Sequence, residues 1–393
     1  MNIRFSILLL IAIALPMCKT AAMAVNPPGL TIAPDGTVLR AGKPYRAIGV
    51  NYVSAFTRVL NNPKDTSYNA GFKVLKDKGI PYVRMWAMGY WPKDNNLYNT
   101  NRAEYFRRMD GVVKSAEKYG IGIIPSMFFC FSTVPDMVGE PMDQWANPAS
   151  KTNAFMRTFV KEMVTRYGNS KAIWGWEFGN EINLGADLPN ASDWRPPIVP
   201  NLGTPKSRSA RDEVTHDIIR NTLRLFATEI RKYDRTRPII TGSSFPRQSA
   251  YHQMTEHNWK ADTEGQFAMM FRNDNPDPVN TLCGHFYMGE LDRFGRKLTV
   301  EEHLTLSMEA ARKAGKPLVV GEFGASDSKN PEQAKKDFHE IIMAIEKVGV
   351  PLSMMWVYDF SPQDTDWNVT PANARSFILD EISEANKRIE GKE

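Results

Sequence analysis

The chain has 393 residues, of which 42% are hydrophobic and 24% charged, with a formal net charge of +5 at pH 7. This composition is that of a globular protein, and the length allows one large domain or two smaller ones. The excess of positive charge is small, and no run of Lys and Arg forms a patch for nucleic acid. We therefore expect no nucleic-acid partner.

The N-terminal segment has the pattern of a secretory signal peptide. A basic residue precedes an apolar run from Phe5 to Leu15, and the small residues before Val25 form a cleavage pattern. The run is too short to span a bilayer, and no later segment reaches that length. We predict a signal peptide over residues 1–24, cleaved after Ala24, and one mature domain over residues 25–393. The protein is then secreted or periplasmic without a membrane span, although lipidation at Cys18 stays open.

One boundary pattern recurs five times along the chain. A helix-like segment ends in Lys or Arg, a glycine follows, and an apolar run comes next, as in "LKDKGIPYVRMW" and "ARKAGKPLVVGEF". Basic residues complement the C-terminus of a helix, and glycine can take the left-handed conformation there. The runs that follow are apolar on both faces, as buried parallel strands require. With three further runs they make eight predicted strands, which start near Arg46, Tyr82, Gly122, Ala172, Pro238, Leu282, Pro317 and Leu352.

Eight strand-and-helix units in one chain predict a (β/α)8 barrel rather than an open doubly wound sheet. The spacing of apolar residues supports helices over residues 102–119, after Asn330-Pro331 and after Thr370. An open sheet that binds a dinucleotide would carry G-x-G-x-x-G after its first strand, and "GVNYVSAF" does not. The stretch before the first strand predicts a short hairpin with its turn at Asp35-Gly36, which would close the bottom of the barrel.

Functional side chains of such a barrel gather where its strands end. The second predicted strand ends near Arg84 and Trp86. The sixth ends with His285 and Tyr287, which are two residues apart and therefore lie on one face of the strand. The eighth ends with Trp356. We expect these side chains to line the mouth of the barrel.

Two glutamates also lie at strand ends of this rim. Glu181 follows the fourth strand in "WGWEFGNEIN", and Glu322 ends the seventh strand in "VVGEFG". Two carboxylates that face each other across a cleft are the catalytic pair used in glycoside hydrolysis. Arg84 and Tyr287 could hold Glu322 ionised, which leaves Glu181 to keep a proton and serve as the acid. Glu177, four residues before Glu181, is expected to be a buried partner of a base such as Arg84.

Together these motifs resemble glycoside hydrolase family five, the cellulase and mannanase family of retaining (β/α)8 enzymes. "WEFGNE" is similar to its fourth-strand motif and "VVGEFG" to its seventh-strand motif, and the resemblance runs from about Arg46 to Phe360. It implies Glu181 as acid/base, Glu322 as nucleophile and Asn180 as the residue that holds the sugar 2-hydroxyl. "VRMW", "HFY" and "MMW" resemble the family's Arg, His-x-Tyr and Trp positions, here Arg84, His285, Tyr287 and Trp356.

Two departures from the family pattern bear on the substrate. Ile182 follows the acid/base glutamate where many members have Pro, and the histidine that many cellulases carry after the third strand is absent from "PSMFFCF". The family's mannanases generally lack that histidine as well, which slightly favours mannan over glucan as the expected substrate. Trp86 and Trp194 offer flat faces on which sugar rings can stack. We expect a monomeric, endo-acting hydrolase of a β-1,4-linked polysaccharide, with no metal ion or other cofactor.

Alternative functions would make different demands on these residues. An exo-acting or transglycosylating relative would use the same two glutamates, and loop length alone does not decide between these activities. A non-catalytic carbohydrate-binding protein on the same barrel would not need paired carboxylates. A metallohydrolase is disfavoured because none of the six histidines lies in H-E-x-x-H or in a close pair with ligand spacing. A serine hydrolase would require a G-x-S-x-G elbow, which the chain lacks.

Overall fold

A computed structural model of the chain describes residues 28–327 and 330–391. The predicted signal peptide, residues 1–24, lies outside these described residues, so its cleavage stays a prediction. Within the described ranges, no helix combines the length and the apolar character that a membrane crossing requires.

The β-strands follow the predicted runs. In chain order they are β1 (Leu30–Ile32), β2 (Val38–Arg40), β3 (Lys43–Pro44), β4 (Ala47–Asn51), β5 (Tyr82–Trp86), β6 (Gly122–Ser126), β7 (Trp176–Glu177), β8 (Ile239–Ile240), β9 (Leu282–Tyr287), β10 (Asp292–Arg293), β11 (Arg296–Lys297), β12 (Leu318–Gly324) and β13 (Leu352–Met355).

Helices separate the strands of the central sheet. They are α1 (Ser54–Asn61), α2 (Tyr68–Asp77), α3 (Asn96–Thr100), α4 (Arg102–Tyr119), α5 (Thr133–Val138), α6 (Lys151–Tyr167), α7 (His216–Arg231), α8 (Ala250–Glu256), α9 (Glu264–Asn273), α10 (Val300–Lys313), α11 (Pro331–Val348) and α12 (Phe377–Glu390). The three helices expected from apolar spacing are therefore present as α4, α11 and α12. Short 3-10 turns occupy much of the long connection between β7 and α7.

Helix ends explain the recurring glycine pattern. Four of its five glycines have positive φ angles, at the ends of α2, α4, α10 and α11: Gly79, Gly120, Gly315 and Gly349. This conformation ends a helix at little steric cost only when the residue has no β-carbon. The fifth glycine, Gly168, has φ −59° and stays helical, with its N–H donating to Val164 O.

Eight parallel strands form a nearly closed barrel, in the order β8-β7-β6-β5-β4-β13-β12-β9. Side chains join the two ends of this order: Thr281 Oγ1 donates to Ile239 O at 2.9 Å, and Ile239 N donates to Asn280 Oδ1 at 2.7 Å. The predicted (β/α)8 fold is therefore confirmed. β7 begins later than the predicted start at Ala172, because Ile173 makes only an isolated bridge to β6 before the regular pairing resumes.

The predicted N-terminal hairpin is present and extends to a third strand. β1 and β2 pair antiparallel around a turn in which Gly36 has φ +85°, and β3 pairs with β2. Leu30 and Val38 are buried in a cluster with residues from the N-terminal ends of barrel strands, among them Tyr82 and Leu352. The hairpin therefore closes the bottom of the barrel, which leaves the opposite end, where the strands finish, for the site.

Candidate active site

A fully buried arginine organises the mouth of the barrel. Arg84 on β5 donates from Nε to Glu177 Oε1 at 2.7 Å and from Nη1 to Glu322 Oε1 at 2.6 Å. Its Nη2 donates to Asn180 Oδ1 at 2.8 Å. Burial opposes the charge of Arg84, but the two glutamates outweigh it and raise its pKa, so the guanidinium stays ionised. Glu177 is thus the buried ion-pair partner that the sequence predicts.

Glu322, on β12, is held through both carboxylate oxygens. It is only 4% exposed, and its Oε2 accepts a hydrogen bond from the Tyr287 hydroxyl at 2.7 Å while Oε1 faces Arg84. Asn51, at the end of β4, supports this arrangement because its Oδ1 accepts from Arg84 Nη1 and its Nδ2 donates to Gly321 O. The carboxylate of Glu322 therefore has one fixed orientation toward the mouth of the barrel.

Glu181 lies across the mouth in a different environment. It has φ +48° and precedes a 3-10 turn over Ile182–Gly185. Its side chain is 30% exposed, and burial among its neighbours raises its pKa, while the positive charges of Arg84 and Arg247 partly counteract this. Glu181 therefore keeps a proton more readily than an ordinary glutamate does.

His285, on β9, lies between the two glutamates. Its Nδ1 is 3.0 Å from Glu181 Oε1 and 3.6 Å from Glu322 Oε1. The ring is fully buried, and this burial lowers the pKa of His285 to about 4, against an opposing effect of Glu322. The imidazole is therefore neutral at neutral pH and adds no charge to the pair.

The two carboxylates are close together. One donor atom each of Glu181, His285 and Glu322 lie within 4.8 Å of one another. This set is compact enough for a metal ion, but the Arg84 guanidinium at 2.6 Å from Glu322 would repel a cation there. We therefore treat the set as a carboxylate pair with a neutral histidine beside it.

The structure brings six of the predicted site residues together in two hydrogen-bonded groups. Arg84, Asn180, Tyr287 and Glu322 form one group and Glu181 and His285 form the other, and His285 Nδ1 lies 3.6 Å from Glu322 Oε1 where the two groups meet. Asn180 Oδ1 accepts a hydrogen bond from Arg84, which fixes the orientation of the side-chain amide. Within the described ranges, the Nδ2 group of Asn180 has no protein hydrogen-bond partner. It remains available to a ligand.

The two predicted tryptophans border these six residues rather than join their hydrogen bonds. Trp86 packs on Phe129 with ring centroids 4.3 Å apart, and Phe129 in turn lies 5.5 Å from the Arg84 guanidinium. Trp356 follows β13 and donates from Nε1 to Gln363 Oε1 at 2.8 Å. Both side chains are half-buried, so each presents part of its ring at the mouth of the barrel.

Several residues of the site escape the sequence patterns. Asn51 could have been found, since it is the polar residue at the end of the first barrel strand. Trp367 meets the Tyr287 ring edge-on at 5.3 Å, and Arg247 interacts electrostatically with Glu181. Both lie in irregular segments beyond the strand ends, where no periodicity marks them.

Comparison with known proteins agrees with this geometry. The family model described as "Cellulase (glycosyl hydrolase family 5)" matches residues 40–360, which is most of the chain. The chain belongs to glycosyl hydrolase family 5. The resemblance seen in its motifs is therefore confirmed, and with it the expectation of a glycoside hydrolase barrel.

Individual relatives match this family 5 chain over shorter stretches. A probable mannan endo-1,4-β-mannosidase A of Aspergillus flavus is 27% identical over 198 residues, which is 44% of this chain and 50% of that protein. The corresponding Aspergillus clavatus protein is 30% identical over 126 residues, 30% of this chain and 33% of its own length. The chain thus spans about half the length, or less, of these curated relatives.

Solved structures share the fold at low identity. An endo-1,4-β-mannanase from Rhizomucor miehei superposes with a TM-score of 0.65 at 14% identity, covering 92% of this chain and 99% of the other. The exo-β-1,4-mannosidase Op5Man5 from an Opitutaceae bacterium gives a TM-score of 0.59 at 16% identity, covering 91% and 63%. At such identities the likeness shows the barrel fold.

We predict that the ring of His285 titrates near pH 4. An NMR titration of the protein, with the ring signals assigned by their loss in His285→Asn, is expected to give a midpoint of about 4 instead of the ordinary 6.5. The unfolded chain takes up this proton near pH 6.5, so the contribution of His285 to stability is complete above that pH and is lost as the pH falls toward 4. A midpoint at or above 6.5 would contradict a neutral imidazole.

Proposed function

We propose that the protein is a retaining β-glycosidase that hydrolyses β-1,4-linked mannan, with Glu181 as acid/base and Glu322 as nucleophile. The separation of the two carboxylates carries this proposal, since donor oxygens of Glu181 and Glu322 lie within 4.8 Å of each other. Retaining enzymes need carboxyl groups about 5–5.5 Å apart, whereas inverting enzymes need about 6.5–9.5 Å to admit a water molecule. The short separation favours direct attack by a carboxylate.

The environments of the two glutamates fit different roles. Arg84 and Tyr287 orient Glu322 for attack on the anomeric carbon, which forms a glycosyl-enzyme ester as the bond to the leaving sugar breaks. Glu181, whose pKa is raised by burial, donates its proton to the departing oxygen. In the second step Glu181 accepts a proton from water, which attacks the ester and restores Glu322.

The neighbouring groups support these two steps. Arg84 holds the amide oxygen of Asn180, so the side-chain N–H of Asn180 keeps one orientation and can donate to the sugar 2-hydroxyl. His285 beside Glu181 is neutral, so it leaves the proton on the glutamate rather than competing for it. Trp86 and Trp356 border the pair and offer aromatic faces to sugar rings.

Mannan is the substrate that the comparisons favour. The curated relatives named above are described as probable mannan endo-1,4-β-mannosidases, and the R. miehei protein as an endo-1,4-β-mannanase. We extend this to an endo-acting mannanase activity for the present chain. The Opitutaceae neighbour is described as an exo-β-1,4-mannosidase, so exo action on the same linkage is the second candidate.

Removal of each glutamate should give a distinct chemical phenotype. Glu322→Ala is expected to abolish hydrolysis of every substrate, and azide should restore turnover with inversion because it attacks from the vacated side. Glu181→Ala should still form the glycosyl-enzyme from an aryl glycoside with a good leaving group, and azide should then give a product of retained configuration. Kinetics with and without azide, and NMR of the products, provide the measurement.

The intact enzyme supplies the control for this assignment. NMR from the first minutes of hydrolysis is expected to show the β-anomer released before mutarotation. Initial release of the α-anomer would overturn the retaining mechanism and the role of Glu322 with it.

Product sizes test the substrate and the mode of action. Incubation of the protein with β-1,4-mannan and with β-1,4-glucan is expected to release oligosaccharides from mannan, with an early fall in viscosity. Release of mannose alone, without loss of viscosity, would favour the exo-acting candidate. Cleavage of glucan but not of mannan would refute the substrate proposal while leaving the mechanism intact.

Export is proposed from the sequence pattern of residues 1–24. We expect N-terminal sequencing of exported protein to begin at Val25. Full-length protein retained in the cytosol would contradict this expectation, and a modified N-terminal Cys18 would indicate the lipid-anchored alternative.

A further inference from the structure

Glu181 depends on a neighbouring loop for its backbone conformation. Its φ of +48° lies in the left-handed region, which side chains with a β-carbon rarely adopt unless the surroundings hold them there. The surroundings here are the segment that follows β8, from Gly242 to Arg247, which we name the β8 loop.

Main-chain and side-chain hydrogen bonds join the β8 loop to the residues around Glu181. Glu181 N donates to Gly242 O at 2.8 Å. The Asn183 side chain donates to Ser244 O at 2.9 Å and accepts from Ser244 N at 3.0 Å. Asn183 is 3% exposed, so water does not replace these bonds easily.

The β8 loop packs closely against residues 177–179. A β-carbon on Gly242, where φ is +71°, would lie 1.9 Å from Gly179 O and 3.1 Å from Glu177 Cδ. The β8 loop therefore contacts the same stretch that carries Glu177 and Asn180. A shift of this loop would move Glu181 relative to Glu322.

Arg247, at the end of the β8 loop, also contacts the segment after Glu181 and places a positive charge near the Glu181 carboxyl group. Its Nε donates to Leu184 O at 2.5 Å, and its guanidinium lies 5.1 Å from the centroid of the Trp194 ring, which is 55% exposed. Arg247 also interacts electrostatically with Glu181 and with Glu290, a residue of the loop after β9. Arg293 ion-pairs with Glu290 and donates from Nη1 to Pro246 O at 2.8 Å, which ties both loops together.

We propose that the β8 loop positions Glu181 for proton transfer, with Asn183 fixing its backbone and the opposite charges of Arg247 and Glu290 setting the electrostatic balance at its carboxyl group. Asn183 and Arg247 are then positioning residues, since they act through Glu181. This inference rests on the proposed role of Glu181 as the acid. The Arg247–Trp194 pair adds a wall on the side of Glu181, where the leaving sugar departs.

The charged and titratable groups that face Glu181 come from five segments. Burial raises the pKa of Glu181, and the positive charges of Arg84 on β5 and Arg247 after β8 partly counteract this rise. The remaining groups are His285 and Tyr287 on β9, Glu290 after β9 and Glu322 on β12. His285 is neutral above its pKa of about 4, and the pKa of Tyr287 is well above its ordinary value, so neither changes charge where Glu181 loses its proton.

The pH profile of kcat/KM separates this role from a merely structural one. The alkaline limb reports loss of the proton from the acid of the free enzyme. Arg247→Met removes a positive charge, so the limb is expected to move to higher pH. Glu290→Gln removes a negative charge that opposes ionisation of Glu181, so the limb should move to lower pH. Opposite shifts from two neighbouring substitutions are not expected from a general loss of packing.

Two further variants serve as controls, and a third tests the role of Asn183. Arg247→Lys keeps the charge and is expected to keep the limb near its original position. Arg224→Met removes an exposed arginine of α7 that donates to Asn221 Oδ1, and should leave the profile unchanged. Asn183→Ala should lower kcat by about 10- to 100-fold with little change in KM, because the acid is misplaced while substrate contacts remain.

Glu181→Gln, assayed with an activated aryl manno-oligosaccharide, distinguishes failure of this inference from failure of the proposed function. If the alkaline limb persists in that variant, Glu181 is not the acid and the proposed function is wrong on this point. If the limb disappears there but stays in place in both Arg247→Met and Glu290→Gln, the acid assignment survives and the role of the β8 loop is overturned. Should Arg247→Met fail to fold, Glu290→Gln alone decides.

Discussion

The site depends on a single buried cation. The Arg84 guanidinium is inaccessible to water, and it is tolerated because carboxylates from two other strands and the amide oxygens of Asn51 and Asn180 surround it. Removing any one of these partners would leave a buried guanidinium N–H without its acceptor. The same contacts fix Glu322 and Asn180 relative to each other, so the stability of the barrel mouth and the geometry of its chemistry rest on one interaction.

The two glutamates face each other but are held in opposite ways. Glu322 lies within β12, next to a break in its pairing register, and is fixed by an arginine and a tyrosine. Glu181 has a left-handed backbone conformation, a partly exposed side chain and a neutral histidine beside it. This asymmetry lets one carboxyl group act as a charged nucleophile and the other as a proton donor in the proposed mechanism, although both are chemically the same group.

Much of the fold could be predicted because its signals are local. Glycine after a basic helix end and apolar runs of strand length both depend on neighbours within a few residues, and the barrel follows from counting such units. The pattern is less accurate where local rules compete: Gly168 stays helical, and β7 is shortened because Ile173 pairs only in isolation. Glu177 could be assigned to Arg84 because a buried carboxylate needs a cation and few are available at the strand ends.

The sequence by itself determined the barrel, the identity of the carboxylate pair and most of the residues around it, since strand ends of a parallel barrel must converge on one rim. Only the tertiary structure decided the distance between Glu181 and Glu322, the neutral state of His285 and the contacts of the β8 loop. Those properties depend on burial and on approaches between segments far apart in the chain, and no spacing along the sequence encodes them. Arg247 is the clearest case, because its effect on Glu181 depends on its contact with Leu184 in the segment after β7, and not on its position in the sequence.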